Sequence, residues 1–214
     1  MNRETKKILA EILLILILCS YNKMFIFAFI WVFLHEVTHI LVALKYGCKF
    51  YNIGFHIFGL NAELTEINTL KDKEKIIIYS SGAILNLLAA TTFYLISFKY
   101  NNIFVETSIS LNIGLAFFNL LPAYPLDGSR ILEIVLSKKI LFKRAQRMIS
   151  IISYIIAGLF IISGISIYIF LHSLNFSIIM GAIIIIYITR IEEHTSMYIT
   201  MGNIVKKRKK LLKD

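Results

Sequence analysis

Proline is almost absent from this chain of 214 residues, and the only two, Pro122 and Pro125, lie close together. Long stretches without helix breakers favour helices over short, alternating strands. Cysteine is as scarce, with only Cys19 and Cys48 and no C-x-x-C pair. If the first apolar run spans a bilayer, these two thiols lie near opposite membrane faces and cannot pair. A disulfide framework is therefore excluded.

Hydrophobic residues, in contrast, make up 57% of the chain, and the mean hydropathy is +0.73. A soluble domain averages about 45–50% apolar residues. The excess falls in long runs, which the core of a water-soluble protein could not bury. The composition therefore predicts an all-α polytopic membrane protein.

Six apolar runs are candidate membrane helices, for which about 20 residues are needed. They are residues 8–21, 24–46, 76–98, 103–121, 149–171 and 176–191. The first is interrupted by Glu11 and follows three basic residues, so it also resembles a secretory signal. No small-residue cleavage site follows, and we expect the run to remain as a span. The six spans would form one membrane domain over residues 1–191.

The net charge of +10 is unevenly distributed along the chain. With six spans, 21 of the 23 Lys and Arg residues fall on one side of the membrane, leaving Lys23 and Lys99 on the other. This asymmetry predicts that both termini and the two large loops are cytoplasmic. Because the basic residues do not line one exposed face, nucleic acid is not an expected partner.

The last part of the chain, residues 192–214, is predicted to be a basic cytoplasmic tail. Its cluster of lysines and arginine at 206–210 would favour orientation and solubility, and would also be attracted to anionic lipid. Glu192 and Glu193 are expected to be solvated.

The loop of residues 49–66, between the second and third spans, is rich in aromatic and β-branched residues, with Gly54 and Gly59 as interruptions. This pattern predicts a short β-hairpin that lies against the membrane. In lipid, any peptide segment that loses its helical hydrogen bonds needs new partners for its backbone groups. An exposed strand edge in this loop could supply them by strand addition.

The second span contains the motif H-E-x-x-H, with His35, Glu36 and His39. Residues four apart share one face of a helix, so the two imidazoles can bind one metal ion. Glu36 lies about 100° around the helix from His35, within reach of a water on that metal. Imidazole suits zinc, and a catalytic zinc keeps one position open for water.

Three ionisable residues inside a membrane span are costly unless they have a function. A pair of packed histidines with a paired glutamate is the alternative. His39 lies six residues before Lys45, which is a plausible cytoplasmic end of the span, or about 9 Å along the helix. The site would therefore lie below the cytoplasmic membrane surface, where water can reach it.

A third ligand has to come from elsewhere in the sequence. The chain has only three aspartates, of which Asp72 lies in a charged loop and Asp214 is the last residue. Asp127 follows the two prolines and precedes Gly128, which permits a tight turn. It is therefore the candidate third ligand, although an aspartate that caps the next helix would have the same spacing.

The helical H-E-x-x-H, followed far downstream by a proline, aspartate and glycine signature, resembles the site-2 protease family of intramembrane zinc metalloproteases. The resemblance covers residues 8–191. It implies that His35, His39 and Asp127 bind one zinc ion per chain and that Glu36 activates water.

Residues 81–86 resemble the Ser-Gly-Pro-x-x-Asn signature of this family, with Ala83 in place of proline. The resemblance implies that Gly82 and Asn86 contribute to substrate binding and that Asn86 orients the substrate near zinc. A polar contact between helices would explain Asn86 equally well. Tyr124 stands where the downstream signature usually has asparagine, as in the subgroup of the stage IV sporulation protease, which processes a membrane-associated sigma-factor precursor. The CBS domain common in that subgroup is missing from this sequence.

We therefore expect a zinc endopeptidase that cuts membrane-associated or transmembrane proteins, with a sigma-factor precursor as a candidate substrate. Its other partners would be the lipid bilayer and an inhibitory or regulatory membrane protein. The main alternative is an ion or solute transporter with a buried histidine and carboxylate site. An inactive zinc scaffold would not need Glu36, and a prenyl-protein endopeptidase fits the Asp127 turn poorly. No role in the site is expected for His56, His172 or His194.

Overall fold

A computed structural model of the chain describes residues 23–56, 59–65, 67–100, 102–172 and 176–211. The described part consists of helices and one pair of strands. The helices are α1 (Lys23–Lys45), α2 (Asp72–Ser97), α3 (Ile103–Asn119), α4 (Asp127–Ser137), α5 (Phe142–Leu171) and α6 (Phe176–Leu211), and the strands are β1 (Lys49–His56) and β2 (Gly59–Thr65). A short 3-10 turn, Ile67–Thr69, precedes α2. The predicted span 8–21 lies outside the described residues.

The chain divides into two compact units, Met1–Leu120 and Leu121–Asp214. In the first unit, α2 packs against both α1 and α3, and β2 packs against α1. In the second unit, α5 packs against both α4 and α6. Each unit has a buried apolar cluster of its own.

Within the described residues, three helices are long and apolar enough to cross a membrane: Ile26–Lys45, Asp72–Ser97 and Phe142–Phe170. They match the predicted spans 24–46, 76–98 and 149–171. The fourth predicted span, 103–121, corresponds to α3, which is apolar but only 17 residues long. Six spans are thus not shown by the described part of the chain.

The helix that begins with the predicted span 176–191 does not end at residue 191, and the boundary of the membrane domain at this residue stays a prediction. α6 has 36 residues and continues from the apolar segment 176–191 through the charged residues to Leu211. Hydropathy falls where charged residues begin, but Lys, Arg and Glu are good helix formers, so the backbone hydrogen bonds continue. The basic segment after residue 191 is therefore helical as far as Leu211.

The loop between α1 and α2 forms an antiparallel pair of strands. Lys49 lies opposite Thr65 and His56 opposite Gly59, and the register shifts between Phe50 and Asn52. An extra residue in one strand bends that strand and increases its twist. Contact of this hairpin with the membrane stays a prediction.

The end of α1 is fixed by a Schellman motif around Gly47, which has φ +86°. The amide of Gly47 donates to Leu44 O at 2.9 Å, and the amide of Cys48 donates to Ala43 O at 3.1 Å. A residue with a Cβ would be strained at this φ. The reversal buries Cys48 with Ala43 and Ile78, so the end of α1 packs against the first turns of α2.

In the second unit, small residues bring two long helices together. Ala157 of α5 and Ala182 of α6 are fully buried in one cluster, which also contains Ile185. Several isoleucine and leucine side chains elsewhere on these helices are more than half exposed, as at Ile162 and Ile183. Small residues at helix contacts and large apolar residues on the outer faces are typical of helices that pack in lipid.

Candidate metal centre

A stripe of every fourth residue on α1 faces its neighbouring helices. The stripe begins with Phe27 and Trp31, which make edge-to-face ring contacts with Phe104 and Phe93. It continues with His35, which is 2% exposed, then half-buried His39 and fully buried Ala43. Side chains four apart lie one above the other on a helix, so the packed stripe carries both imidazoles.

The ring orientation of His39 is set by α2. Nδ1 of His39 lies 2.7 Å from the carbonyl oxygen of Ile78 and 3.2 Å from Oγ of Ser81. The Ser81 hydroxyl donates its own hydrogen to Ile78 O at 2.7 Å, so both neighbours of Nδ1 act as acceptors. His39 must therefore carry its hydrogen on Nδ1, which leaves a lone pair on Nε2.

His35 has the same tautomer. Its Nδ1 lies 2.5 Å from Oδ1 of Asn86, and the Asn86 amide donates to Oδ1 of Asn112 at 2.7 Å. An amide oxygen accepts only, so Nδ1 of His35 is the donor and Nε2 carries a lone pair. In both histidines, Nδ1 thus donates to a group on α2, and Nε2 is the nitrogen that can bind a metal. A second hydrogen bond of this kind is typical of metal-binding histidines.

The two Nε2 atoms face each other at 3.1 Å. Two lone pairs at this distance repel each other unless a positive charge lies between them. Zinc bonds of about 2.0–2.1 Å to two nitrogens in tetrahedral geometry place the nitrogens about 3.3 Å apart. The two histidines therefore fit a shared zinc ion.

Gly82 forms the wall of α2 opposite these nitrogens. A Cβ at this position would lie 2.5 Å from Nε2 of His39 and 2.7 Å from Nε2 of His35. The absence of a side chain lets α2 approach the histidine pair. Gly82 and Asn86, both buried, thus lie beside the imidazoles, and their part in substrate binding stays a prediction.

Glu36 lies on α1 next to His35 and is half-buried. Its position one residue along the helix is the one that the H-E-x-x-H motif requires of a general base. His172 at the end of α5 and His194 on α6 are exposed, and the side chain of His56 lies outside the described residues.

Asp127 belongs to the second unit, where it is the first residue of α4. The turn before it is held by several bonds: Leu126 N donates to Ala123 O at 2.8 Å, and buried Ser129 donates through Oγ to Leu126 O at 2.7 Å. The amide of Tyr124 donates to Oγ of Ser153 on α5 at 3.0 Å. The carboxylate therefore stands at a fixed helix start, where the helix dipole favours negative charge.

A charged cluster around this turn was missed from the sequence. Arg130 on α4 forms an ion pair with Glu192 on α6, lies 3.5 Å from Glu133 and stacks over the Tyr124 ring at 5.3 Å. Burial lowers the pKa of Arg130, but the two carboxylates raise it by more. Burial and Glu133 together raise the pKa of the Tyr124 hydroxyl.

The expectation that Glu192 and Glu193 are solvated is wrong. Glu192 accepts from Arg130, and Glu193 accepts from the hydroxyl of Tyr154 at 3.1 Å. Sequence alone could not pair residues on different helices that lie 62 and 39 positions apart. The cluster ties α6 to α4 and α5 within the second unit.

Asn112 was also missed, although the sequence contains a signal for it. It is an amide in the middle of an apolar run, where an unpaired polar side chain is expensive. In the structure it is fully buried and bonds to Asn86. A search for polar residues within apolar runs would have found it.

Apolar helices of membrane-spanning length and a histidine pair suited to zinc are the features of an α-helical membrane protein with a candidate metal centre. Residues 100–160 match Peptidase family M50. A solved site-2 protease from Methanocaldococcus jannaschii superimposes with a TM-score of 0.63 and 27% identity, covering 86% of each chain. The chain is thus similar to members of the M50, or site-2 protease, family, and its described part contains helices long and apolar enough to cross a membrane.

Two curated relatives show the same similarity. A zinc metalloprotease of Methanocaldococcus jannaschii is 30% identical over 169 residues, which cover 77% of this chain and 47% of that protein. Stage IV sporulation protein FB of Bacillus subtilis is 26% identical over 135 residues, which cover 62% of this chain and 46% of that protein. The chain spans about half the length of these curated relatives. Zinc is the metal that the family implies.

Proposed function

We propose that this protein is an intramembrane zinc endopeptidase that hydrolyses peptide bonds of transmembrane or membrane-associated proteins. The proposal rests on the Nε2 atoms of His35 and His39, which lie 3.1 Å apart and each carry a lone pair. Glu36 lies on the same helix. A metal site alone would also suit a transporter. A glutamate next to the proposed ligands, in a chain similar to a peptidase family, favours hydrolysis.

The proposed metal ligands are His35, His39 and Asp127. His35 and His39 would supply two neutral nitrogens, and Asp127 would supply a carboxylate from the first position of its helix. Two histidines and one carboxylate are a common ligand set for catalytic zinc, and they leave one position for water. The likeness to the family's downstream proline, aspartate and glycine signature supports the choice of Asp127.

When bound, zinc supplies a Lewis acid that lowers the pKa of water to about 7 and polarises the peptide carbonyl. Glu36 accepts a proton from the water as its oxygen attacks the carbonyl carbon. Glu36 then returns that proton to the amide nitrogen as the carbon–nitrogen bond breaks. The products are a carboxylic acid and an amine, and Glu36 is regenerated.

The finer parts of the proposal concern substrate and partners. We infer a membrane-associated sigma-factor precursor as a candidate substrate, supported by the Tyr-Pro-Leu-Asp-Gly signature and by the likeness to a sporulation protein. The catalytic domain comprises residues 1–191, with one zinc ion per chain, and both termini are cytoplasmic. A regulatory membrane protein is a further proposed partner. Gly82 and Asn86 are proposed to contribute to substrate binding from positions beside the metal ligands.

The test compares zinc content and cleavage in purified variants of the full chain. We expect Glu36→Gln to keep zinc but to lose about 10²–10⁴-fold in cleavage rate, since only the proton transfer is removed. His35→Ala and Asp127→Ala should lose zinc as well as activity. Glu106→Gln, in the exposed first turn of α3, is the matched control and should keep both.

Wild-type cleavage by Glu36→Gln would refute the assignment of the base. Full zinc content in Asp127→Ala would refute its role as a ligand. The same Glu36→Gln protein, crosslinked in native cells, should retain the uncut substrate and allow its identification.

A further inference from the structure

A line of buried polar groups crosses three helices of the first unit and ends at one of the histidines. It runs from the carbonyl of Ser108 through Asn112 on α3 and Asn86 on α2 to Nδ1 of His35 on α1. Both asparagines are 0% exposed and His35 is 2% exposed. Burying polar side chains between membrane helices costs free energy, which is offset only when their hydrogen bonds are satisfied. A continuous line of such groups therefore indicates a function.

We propose that Asn112 is a positioning residue for the metal centre, because it determines which nitrogen of His35 carries the hydrogen. The inference rests on the proposed role of His35 as a metal ligand. Asn112 lies on a helix that provides no proposed ligand, and it acts through Asn86.

The direction of every bond in the line follows from its first member. The carbonyl of Ser108 can only accept, so the group of Asn112 that lies 2.8 Å from it is the NH₂ group. The carbonyl oxygen of Asn112 then faces Asn86 and requires a donor, which is the Asn86 NH₂ group at 2.7 Å. The oxygen of Asn86 is thereby left to face His35, whose Nδ1 must donate.

Loss of Asn112 would remove this constraint. An asparagine side chain can rotate by 180° about its last bond and exchange its oxygen and nitrogen in nearly the same volume. A rotated Asn86 would donate to Nδ1 of His35, and the ring would then carry its hydrogen on Nε2. That hydrogen would occupy the position where the ring is proposed to bind zinc.

A merely structural role for Asn112 predicts something different. Polar side chains between membrane helices often hold helices together, whatever the direction of the hydrogen bond. In that case a variant would lower stability without changing the tautomer of His35. The two roles can be separated by Asn112→Asp, because an aspartic acid at this position restores the direction of the hydrogen bonds to Ser108 and Asn86. In its protonated form, it donates through O–H to Ser108 O and accepts from Asn86.

The experiment uses the full chain in detergent with Asn112→Leu, Asn112→Ala and Asn112→Asp. Zinc affinity is measured by competition with a chelator, and the tautomer of His35 by ¹⁵N NMR of histidine-labelled, zinc-free protein. A stability measurement by thermal melting accompanies each variant. Asn119→Leu is the matched control, since Asn119 also donates to the carbonyl four residues back on α3, at 3.0 Å.

We expect Asn112→Leu and Asn112→Ala to weaken zinc binding about 10–100-fold, the usual range for loss of a group that orients a metal ligand. The hydrogen of His35 should move to Nε2 in both. Asn112→Asp should restore Nδ1–H and zinc affinity, and Asn119→Leu should stay within about twofold of wild type.

The proposal would be overturned if His35 kept its tautomer in folded Asn112→Leu or Asn112→Ala. It would also be overturned if Asn112→Asp lost as much zinc affinity as these two variants while the tautomer of His35 stayed unchanged. Should the wild-type protein bind no zinc at all, the proposed function fails. The ¹⁵N measurement in zinc-free protein would still decide whether Asn112 orients His35.

Discussion

Because Gly82 has no side chain, α2 can approach the histidine pair closely at this position. The nearest atoms to a Cβ placed there belong to both histidines, and they are ring atoms held from their other side by α2. The rings cannot move without giving up Asn86 or Ile78 as partners. Glycine at this position is therefore a requirement of close approach and has nothing to do with backbone flexibility.

At this scale we predict that Gly82→Ala lowers zinc affinity by about 10–100-fold, as expected when the groups around a ligand are displaced. Chelator competition on the purified protein measures it. Gly114→Ala on α3 is the control, because a Cβ at Gly114 meets no atom within 4 Å. Equal zinc affinity in both variants would show that the histidines can move away from the new methyl group at little cost.

At the scale of elements, the hairpin is proposed to bind substrate by strand addition. Its strand β2 packs against α1, the helix that carries the histidines, so the outer edge of β1 is the edge proposed for strand addition. In a strand, the N–H groups of alternate residues point to opposite edges. Residues that bond to β2 can thus be distinguished from residues that would bond to a substrate.

We predict that single proline substitutions along residues 50–58 reduce substrate cleavage with a period of two. Proline at an N–H that faces outward removes a bond to substrate but leaves the pairing with β2 intact. Cleavage of a membrane-embedded substrate is the measurement, and zinc content is the control for an intact centre. A scan that leaves cleavage unchanged at every position would exclude strand addition along this edge.

On the scale of the whole molecule, the distribution of charge predicts the orientation of the protein in the membrane. The loop that contains Lys138 and Lys139 is strongly basic, whereas the turn after α2 contains only Lys99. Positive residues near the ends of membrane helices are retained on the cytoplasmic side. The two loops should therefore lie on opposite faces of the membrane.

This orientation predicts the reactivity of single cysteines in a variant without Cys19 and Cys48. A cysteine at Lys138 should react with a membrane-impermeant maleimide only after the cells are opened, whereas one at Tyr100 should react in intact cells. Neither position is buried in its own unit, so folding does not protect them. The reverse pattern would place both termini outside the cytoplasm.

The sequence by itself determined the local features of the site. Four-residue spacing was enough to place His35 and His39 on one face of α1, because helix geometry depends only on neighbouring residues. Apolar length was enough for three of the long helices. After residue 191, charged residues replace apolar ones and hydropathy no longer indicates a helix. The continuation of α6 to Leu211 was therefore not predicted.

Only the tertiary structure decided how those residues work together. Which nitrogen of His35 carries a hydrogen depends on Asn112, which lies 77 positions away and on another helix. The need for glycine at 82 and the partners of Glu192 likewise arise from contacts between helices. Sequence patterns describe periodicity along one element, whereas hydrogen-bond direction and close approach depend on which elements the fold brings side by side.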